Sequence, residues 1–162
     1  MRSTRTATQQ MGHEAELAIP ARSAESFDRT DYWKDLAELQ AEAEAGDANK
    51  QCRLGERYAW GFGVKEDQVQ ALEWWSRAAA QGAVGAHVSL GAAYESGNGV
   101  DPSDAMAAVF YRVAANAGDA QAQWCLGDLC ADGRGVLQDN QEATKWYRLA
   151  AAQGWGPMGP KR

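Results

Sequence analysis

The side chains of this 162-residue chain with the widest chemical reach are three cysteines, Cys52, Cys125 and Cys130, and two histidines, His13 and His87. Thiolate and imidazole make nucleophile–base pairs or metal sites when a fold brings them together. Their spacing here argues against both. The odd cysteine count leaves at least one thiol unpaired. Cys125 and Cys130 lie five apart on one expected helix and point in different directions, so they do not bond to each other. The set reads as buried or surface thiols of a reducing cytoplasm. His13-Glu14 lacks the second histidine of a zinc-protease helix. No Ser-x-x-Lys or Gly-x-Ser-x-Gly nucleophile motif occurs. The remaining candidates are three Gly-x-Gly-Val loops at 61–64, 97–100 and 133–136. A phosphate cradle needs a strand ahead of the glycines, and none is expected here. The residues therefore predict no catalytic set, no cofactor-binding set, no metal ligands and no enzyme.

The loops matter for another reason: they recur at a fixed spacing of 36 residues. Leu54-Gly55, Leu90-Gly91 and Leu126-Gly127 keep the same beat, as do Trp74-Trp75, Phe110-Tyr111 and Trp146-Tyr147. So do Ala78-Ala79 with Gly82, Ala114-Ala115 with Gly118, and Ala150-Ala151 with Gly154. A period of this length signals stacked supersecondary units. The spacing within one unit predicts two helices. The first runs from Ala48 to Trp60 behind an Asp47 cap. Its interior Gly55 costs roughly 1 kcal/mol against alanine, so it reads as a place where a bulky ring or a neighbouring helix packs on bare backbone. Gly61 stops that helix in the left-handed region, and Val64 and its copies turn back to the core. Asp67, Ser103 and Asp139 occupy one column and can cap the second helix, over about 68–81 in the first unit. His87 shares a column with Gln51 and Gln123 and reads as a surface or partly buried side chain.

The ends break the pattern. Residues 28–45 read as one capping helix, with Trp33, Leu36 and Leu39 toward the stack and Glu38, Glu42 and Glu44 toward water. Residues 1–27 read as a flexible polar leader, partly helical from Glu14 to Ala18. After Gly154 the Gly/Pro-rich tail over 155–162 cannot continue the helix over 140–153. The outer face of that last helix stays open unless Trp155 or Met158 folds back. The expected organisation is 1–27 leader, 28–45 cap, repeats at 46–81, 82–117 and 118–154, and 155–162 tail.

Composition agrees with an α-helical domain: 45% hydrophobic residues and only four prolines. A formal charge of −6 and a pI near 4.9 speak against a nucleic-acid backbone and an anionic membrane surface. They suit a partner with basic residues. No apolar run reaches the roughly 18 residues of a membrane span.

The repeat resembles the Sel-1-like family, relatives of the tetratricopeptide repeat. Its pattern is Ala-x3-Leu-Gly-x2-Tyr, Gly-x-Gly-Val, Asp, then Ala-x2-Trp-Tyr-x2-Ala-Ala-x-x-Gly. Unit one matches at Leu54, Gly55, Tyr58, Gly61, Gly63, Val64, Asp67, Ala71, Trp75, Ala78, Ala79 and Gly82. Unit three matches from Ala122 to Gly154. Lys50 stands for alanine, Cys130 for tyrosine and Ser103 for aspartate. The resemblance, over about 46–154, implies an all-α fold. It implies a right-handed α-α solenoid of three 36-residue helix pairs plus an N-terminal capping helix, used as a protein-interaction adaptor, often in bacteria. Certain secreted members carry one disulfide per repeat, a pattern missing here, so their proposed activities do not transfer.

By analogy with tetratricopeptide repeats, a partner meets the concave face built from the first helix of each pair. The columns concerned hold Asn49, Cys52, Glu56 and Trp60, then Gly85, Val88, Ala92 and Ser96, then Gln121, Trp124, Asp128 and Asp132. Trp60 and Trp124 stand out, because the other units hold small or polar residues there. Glu56, Asp128 and Asp132 add charge that favours Lys or Arg in a ligand. The expected function is a cytoplasmic scaffold for a protein or peptide. A dedicated inhibitor or immunity-type protein that blocks one enzyme is the alternative. Either acts as a monomer or as a weak homodimer through the C-terminal helix.

Overall fold

The computed structural model describes residues 29–156. The leader over 1–27 with His13, the tail from 157 onward with Met158, and the side chain of Trp33 lie outside the described residues. Seven helices follow one another among the described residues: α1 (Arg29–Glu44), α2 (Ala48–Trp60), α3 (Gln68–Ala80), α4 (Val84–Ser96), α5 (Asp104–Asn116), α6 (Ala120–Asp132) and α7 (Asn140–Ala152). No strand occurs among the described residues. Each helix packs chiefly on its neighbours in chain order. The molecule is thus a row of antiparallel pairs, α2/α3, α4/α5 and α6/α7, headed by α1. The helix limits expected at 48–60, about 68–81 and 140–153 agree with α2, α3 and α7 to within one residue.

Local chemistry sets these boundaries. The carboxylates of Asp47, Asp67 and Asp139 accept from first-turn amides of α2, α3 and α7, and the Ser103 hydroxyl does so for α5. Asp119 caps α6, whereas Ala83 leaves α4 without a side-chain cap. The first glycine of each Gly-x-Gly-Val turn ends a helix in the left-handed region, Gly133 with φ 67°. The second serves two needs at once. Gly135 has φ 68°, and a Cβ there would run into the backbone of Asp104 and Ala105. The turn of repeat three therefore sits directly on the first turn of α5 in repeat two. Val64 and Val136 pack back on the core as expected, and Val100 is half-buried.

The interior glycines face aromatic rings. A Cβ on Gly55, Gly91 or Gly127 would lie 2.5, 2.7 or 2.8 Å from the ring of Trp75, Tyr111 or Tyr147. Small residues facing large rings let the two helices of a pair approach closely. Between repeats the core is mostly alanine and leucine, with two buried glutamines. Gln51 Nε2 donates to the Ala43 carbonyl and Gln123 Nε2 to the Ala115 carbonyl. Each carbonyl also accepts a backbone amide beyond its helix, from Gly46 and from Gly118, so the glutamines add a second, cross-helix bond to a helix end. Gln81 and Gln153 donate in turn to the two glutamines. His87 sits half-buried in the same column of repeat two, with Nδ1 2.9 Å from the Ala83 carbonyl. Leu36, Leu39 and Ala43 of α1 are buried against repeat one, and Glu38, Glu42 and Glu44 are exposed. Glu42 also pairs with Lys50 at 2.5 Å.

Candidate interaction surface

The first helices α2, α4 and α6 stand side by side, so residues 36 apart on them form rows. Between α2 and α4 these rows leave an open groove of about 540 Å³. Glu56 and Trp60 line it from α2, Val88, Ala92 and Ser96 from α4, and Gln121 reaches it from α6. A smaller depression of about 280 Å³ is walled by Arg53, Arg57 and Phe62. Glu56 and Trp60 border both.

The structure brings six residues of the expected contact columns together: Glu56, Trp60, Val88, Ala92, Ser96 and Gln121. Val88 differs from its expected role as a surface contact. It is only 9% exposed and forms the floor, packed in the core of repeats two and three. Asn49 is exposed on the first turn of α2, away from the groove, and Cys52 is half-buried. Gly85 faces the Cys52 sulfur, and a Cβ there would lie 3.7 Å from it. Trp124, Asp128 and Asp132 lie further along α6. The Trp124 ring packs on Tyr147, centroids 4.7 Å apart and tilted by 49°. Asp128 accepts the Tyr147 hydroxyl at 2.5 Å, and Asp132 is exposed. The two tryptophans, alike in sequence, thus differ in environment. Trp60 is 69% exposed and makes no hydrogen bond or ring contact among the described residues.

Sequence reasoning missed the deeper wall of the groove: Ala59, Gln68, Trp75, Glu95 and Asn98. Trp75 reads from the sequence as core and Asn98 as part of a turn, while Ala59, Gln68 and Glu95 belong to none of the expected contact columns. The signal lay in the x position of the turn, where Phe62, Asn98 and Arg134 differ completely in size and charge.

The charges of this face differ by repeat. Glu95 accepts from the Tyr111 hydroxyl at 2.9 Å and from Arg134 at 3.2 Å. Arg134 also forks onto Asp104 at 2.8 and 3.2 Å, which raises its pKa further above the ordinary guanidinium value. Burial and the bond to Asp128 push the Tyr147 hydroxyl up, and burial does the same for Tyr111. Glu56 makes no hydrogen bond or ion pair among the described residues. Trp75 stands where the other repeats have a tyrosine, and its indole N–H is buried without an acceptor. Cys52 is pushed up to about 11, first by burial and then by Glu56. Cys125 is also raised to about 11, by burial and then by Glu95. All three cysteines are free. Among the described residues no group of three or more His, Cys, Asp or Glu side chains is arranged to hold a metal ion.

Stacked antiparallel pairs, aromatic rings on bare helix backbone and a grooved first-helix face define an α-solenoid of the kind used for binding. The Sel1 repeat pattern matches residues 51–82, 84–119 and 120–155. The chain belongs to the Sel1 repeat family. It is similar to a protective antigen of uropathogenic Escherichia coli strains with this fold, at 44% identity and TM-score 0.72. That likeness covers 74% of this chain but only 26% of the antigen, about a quarter of its length. A Sel1 repeat protein from Oxalobacter formigenes is 37% identical with TM-score 0.69, over 75% of this chain and 91% of that one. Helicobacter pylori cysteine rich protein B, at 23% identity and TM-score 0.55, covers 71% of this chain and 87% of its own and shares the fold. No curated protein sequence matches the chain.

Sel1 repeats generally mediate protein–protein interaction. Among the described residues no helix is long and apolar enough to cross a membrane.

Proposed function

We propose that this chain is a cytoplasmic, non-enzymatic adaptor whose first-helix face holds a protein or an extended peptide with basic residues. The observation that carries the reading is Trp60, a large ring exposed on the rim of a 540 Å³ groove. Exposed tryptophans beside a pocket supply much of the binding energy at protein interfaces. Three free thiols support a reducing compartment. The test places a photo-crosslinking residue at Ser96, beside the groove, and a control at exposed Val109 on α5. A partner crosslinking from Ser96 and lost with Trp60→Ala supports the reading. Equal yield from both positions, or indifference to Trp60→Ala, overturns it.

The net charge of −6 favours a second reading, a dedicated inhibitor of one basic enzyme. A nanomolar one-to-one complex that abolishes the enzyme's activity separates inhibitor from adaptor. A weak homodimer through α7 is a further proposal, supported by Leu149, 42% exposed on the last helix. Sedimentation that finds only monomer at high concentration removes it.

A further inference from the structure

The groove between repeats one and two is the vacated copy of a slot that the chain itself fills one repeat later. Between repeats two and three the Arg134 guanidinium lies among Glu95, Asp104 and the neighbouring Tyr111, bonding both carboxylates. Thirty-six residues earlier, the positions of Glu95, Asp104 and Tyr111 are held by Ala59, Gln68 and Trp75. The position of Arg134 is held by Asn98. All four of these residues line the groove. Asparagine is too short to fill the volume that arginine fills. Val88, on the floor, likewise stands where repeat three places the Trp124 ring. Two truncations, tryptophan to valine and arginine to asparagine, leave one junction open on a backbone plan that is closed at the next.

The charge has moved with the opening. Ala59 and Gln68 provide no carboxylate for a guanidinium. Glu56, whose counterpart in repeat two is Ala92, supplies one on the groove's edge. Glu95 also borders the groove, but both its oxygens are engaged, by Tyr111 and by Arg134. Glu56 is uncommitted and lies four residues, one helical turn, before exposed Trp60. A free carboxylate beside an aromatic face takes a flat guanidinium well: one group pairs with its charge and the other stacks on its plane. Guanidinium is also less strongly hydrated than ammonium, so neutral walls such as Ala59 and Ala92 favour arginine over lysine. None of the basic side chains of α2 lines the groove: Arg53 and Arg57 border the smaller depression, and Lys50 pairs with Glu42.

We infer that the groove between repeats one and two is a socket for an arginine side chain of the partner. Its guanidinium pairs with Glu56 and stacks on Trp60, in place of the internal arginine that closes the next junction. The inference rests on the proposal that this face binds a protein or peptide, and it adds the residue type that is read.

The test measures fluorescence anisotropy of four labelled degenerate peptide pools against the full 162-residue chain. The pools have a fixed central Arg, Lys, Gln or Glu. The Arg pool is expected to bind about tenfold more tightly than the Gln pool, with Lys between them and Glu weakest. Glu56→Gln should bring the Arg pool down to the Gln level. Asn98→Arg refills the slot from inside and should do the same without lowering the melting temperature. If Asn98→Arg does not fold, Glu56→Gln, at an exposed position, carries the test alone. Equal binding of all pools, binding of none, or an arginine preference that survives Glu56→Gln overturns the socket. A partner that still crosslinks from Ser96 in that case leaves the broader adaptor reading standing. Absence of any Ser96 crosslink removes both.

Discussion

Gly91 shows how a residue that looks unfavourable in its own helix can be required by its neighbour. In an isolated helix, Gly91→Ala would gain roughly 1 kcal/mol of propensity. Here the new methyl would lie 2.7 Å from the Tyr111 ring, and that ring is 1% exposed with its hydroxyl bonded to Glu95. Overpacking of this kind costs roughly 1–3 kcal/mol or more where the neighbour cannot move. Gly91→Ala is therefore expected to lower stability by about 2 kcal/mol and Tm by about 5–10 °C, measured by urea and thermal unfolding. A rise in Tm would show that the ring gives way. The cysteines make a second case. With pKa values of about 11 against an ordinary 9.0, Cys52 and Cys125 carry about a hundredfold less thiolate at pH 8 than a free thiol. Iodoacetamide labelling at pH 8, read by mass spectrometry, should be slower by about that factor in the folded chain than after denaturation. Fast labelling of the folded chain would refute the burial of these thiols.

At the scale of the element, each second helix is pinned by a cap at its start, and α5 and α7 also by cross-helix pairs along their length. The start of α7 is one such place. Arg112 of α5 donates to Glu142 at 2.8 Å, and Trp146 Nε1 donates to the same oxygen at 3.3 Å. The bond from Arg112, then that from Trp146, hold the Glu142 carboxyl below its ordinary value of 4.5. A depressed folded value means that the folded state binds its proton less readily than the unfolded chain. The stabilisation is therefore fully present above about 4.5 and is lost as pH falls through the lower folded value. Glu142→Gln should melt below the parent protein near pH 7, and the gap should close on acidification below about pH 4.5. A gap that persists or widens in acid would contradict this. The difference will be small, since both side chains are about a third exposed or more.

The whole molecule is a short row in which each repeat touches only its neighbours, so its stability divides among junctions. The two junctions between repeats are unequal. The one between repeats two and three is closed by Arg134 with Glu95 and Asp104. The one between repeats one and two carries the open groove and the unsatisfied Trp75 indole. Hydrogen exchange should therefore show opening of α2 and α3 at lower free energy than α5 and α6. Uniform protection, or the reverse order, would show that the groove does not weaken its junction.

Most of the architecture was legible in the chain. The 36-residue period fixed the helix pairs, because a glycine stop, a capping Asp or Ser and an apolar stripe act within a few residues of one another. The interior glycines announced a close approach by a ring or a neighbouring helix, since nothing local rewards glycine there, and the structure shows rings. The groove was legible only in part. Trp60 stands out in the sequence as a break in its column, whereas Glu56, Ser96 and Gln121 follow only from the analogy with tetratricopeptide columns; all four border the groove. Ala59, Gln68 and Trp75 were not expected there, because each also serves the stack, and Val88 proved to be floor. Trp60 and Trp124 were indistinguishable by type and novelty. Only packing separated them, leaving one ring in water and placing the other on Tyr147. The sequence alone determined the repeat, because its signals are local and recur in register. The tertiary structure alone decided which junction is filled and which is open. That depends on whether a side chain from one repeat reaches across to the next, a distance that no single repeat encodes.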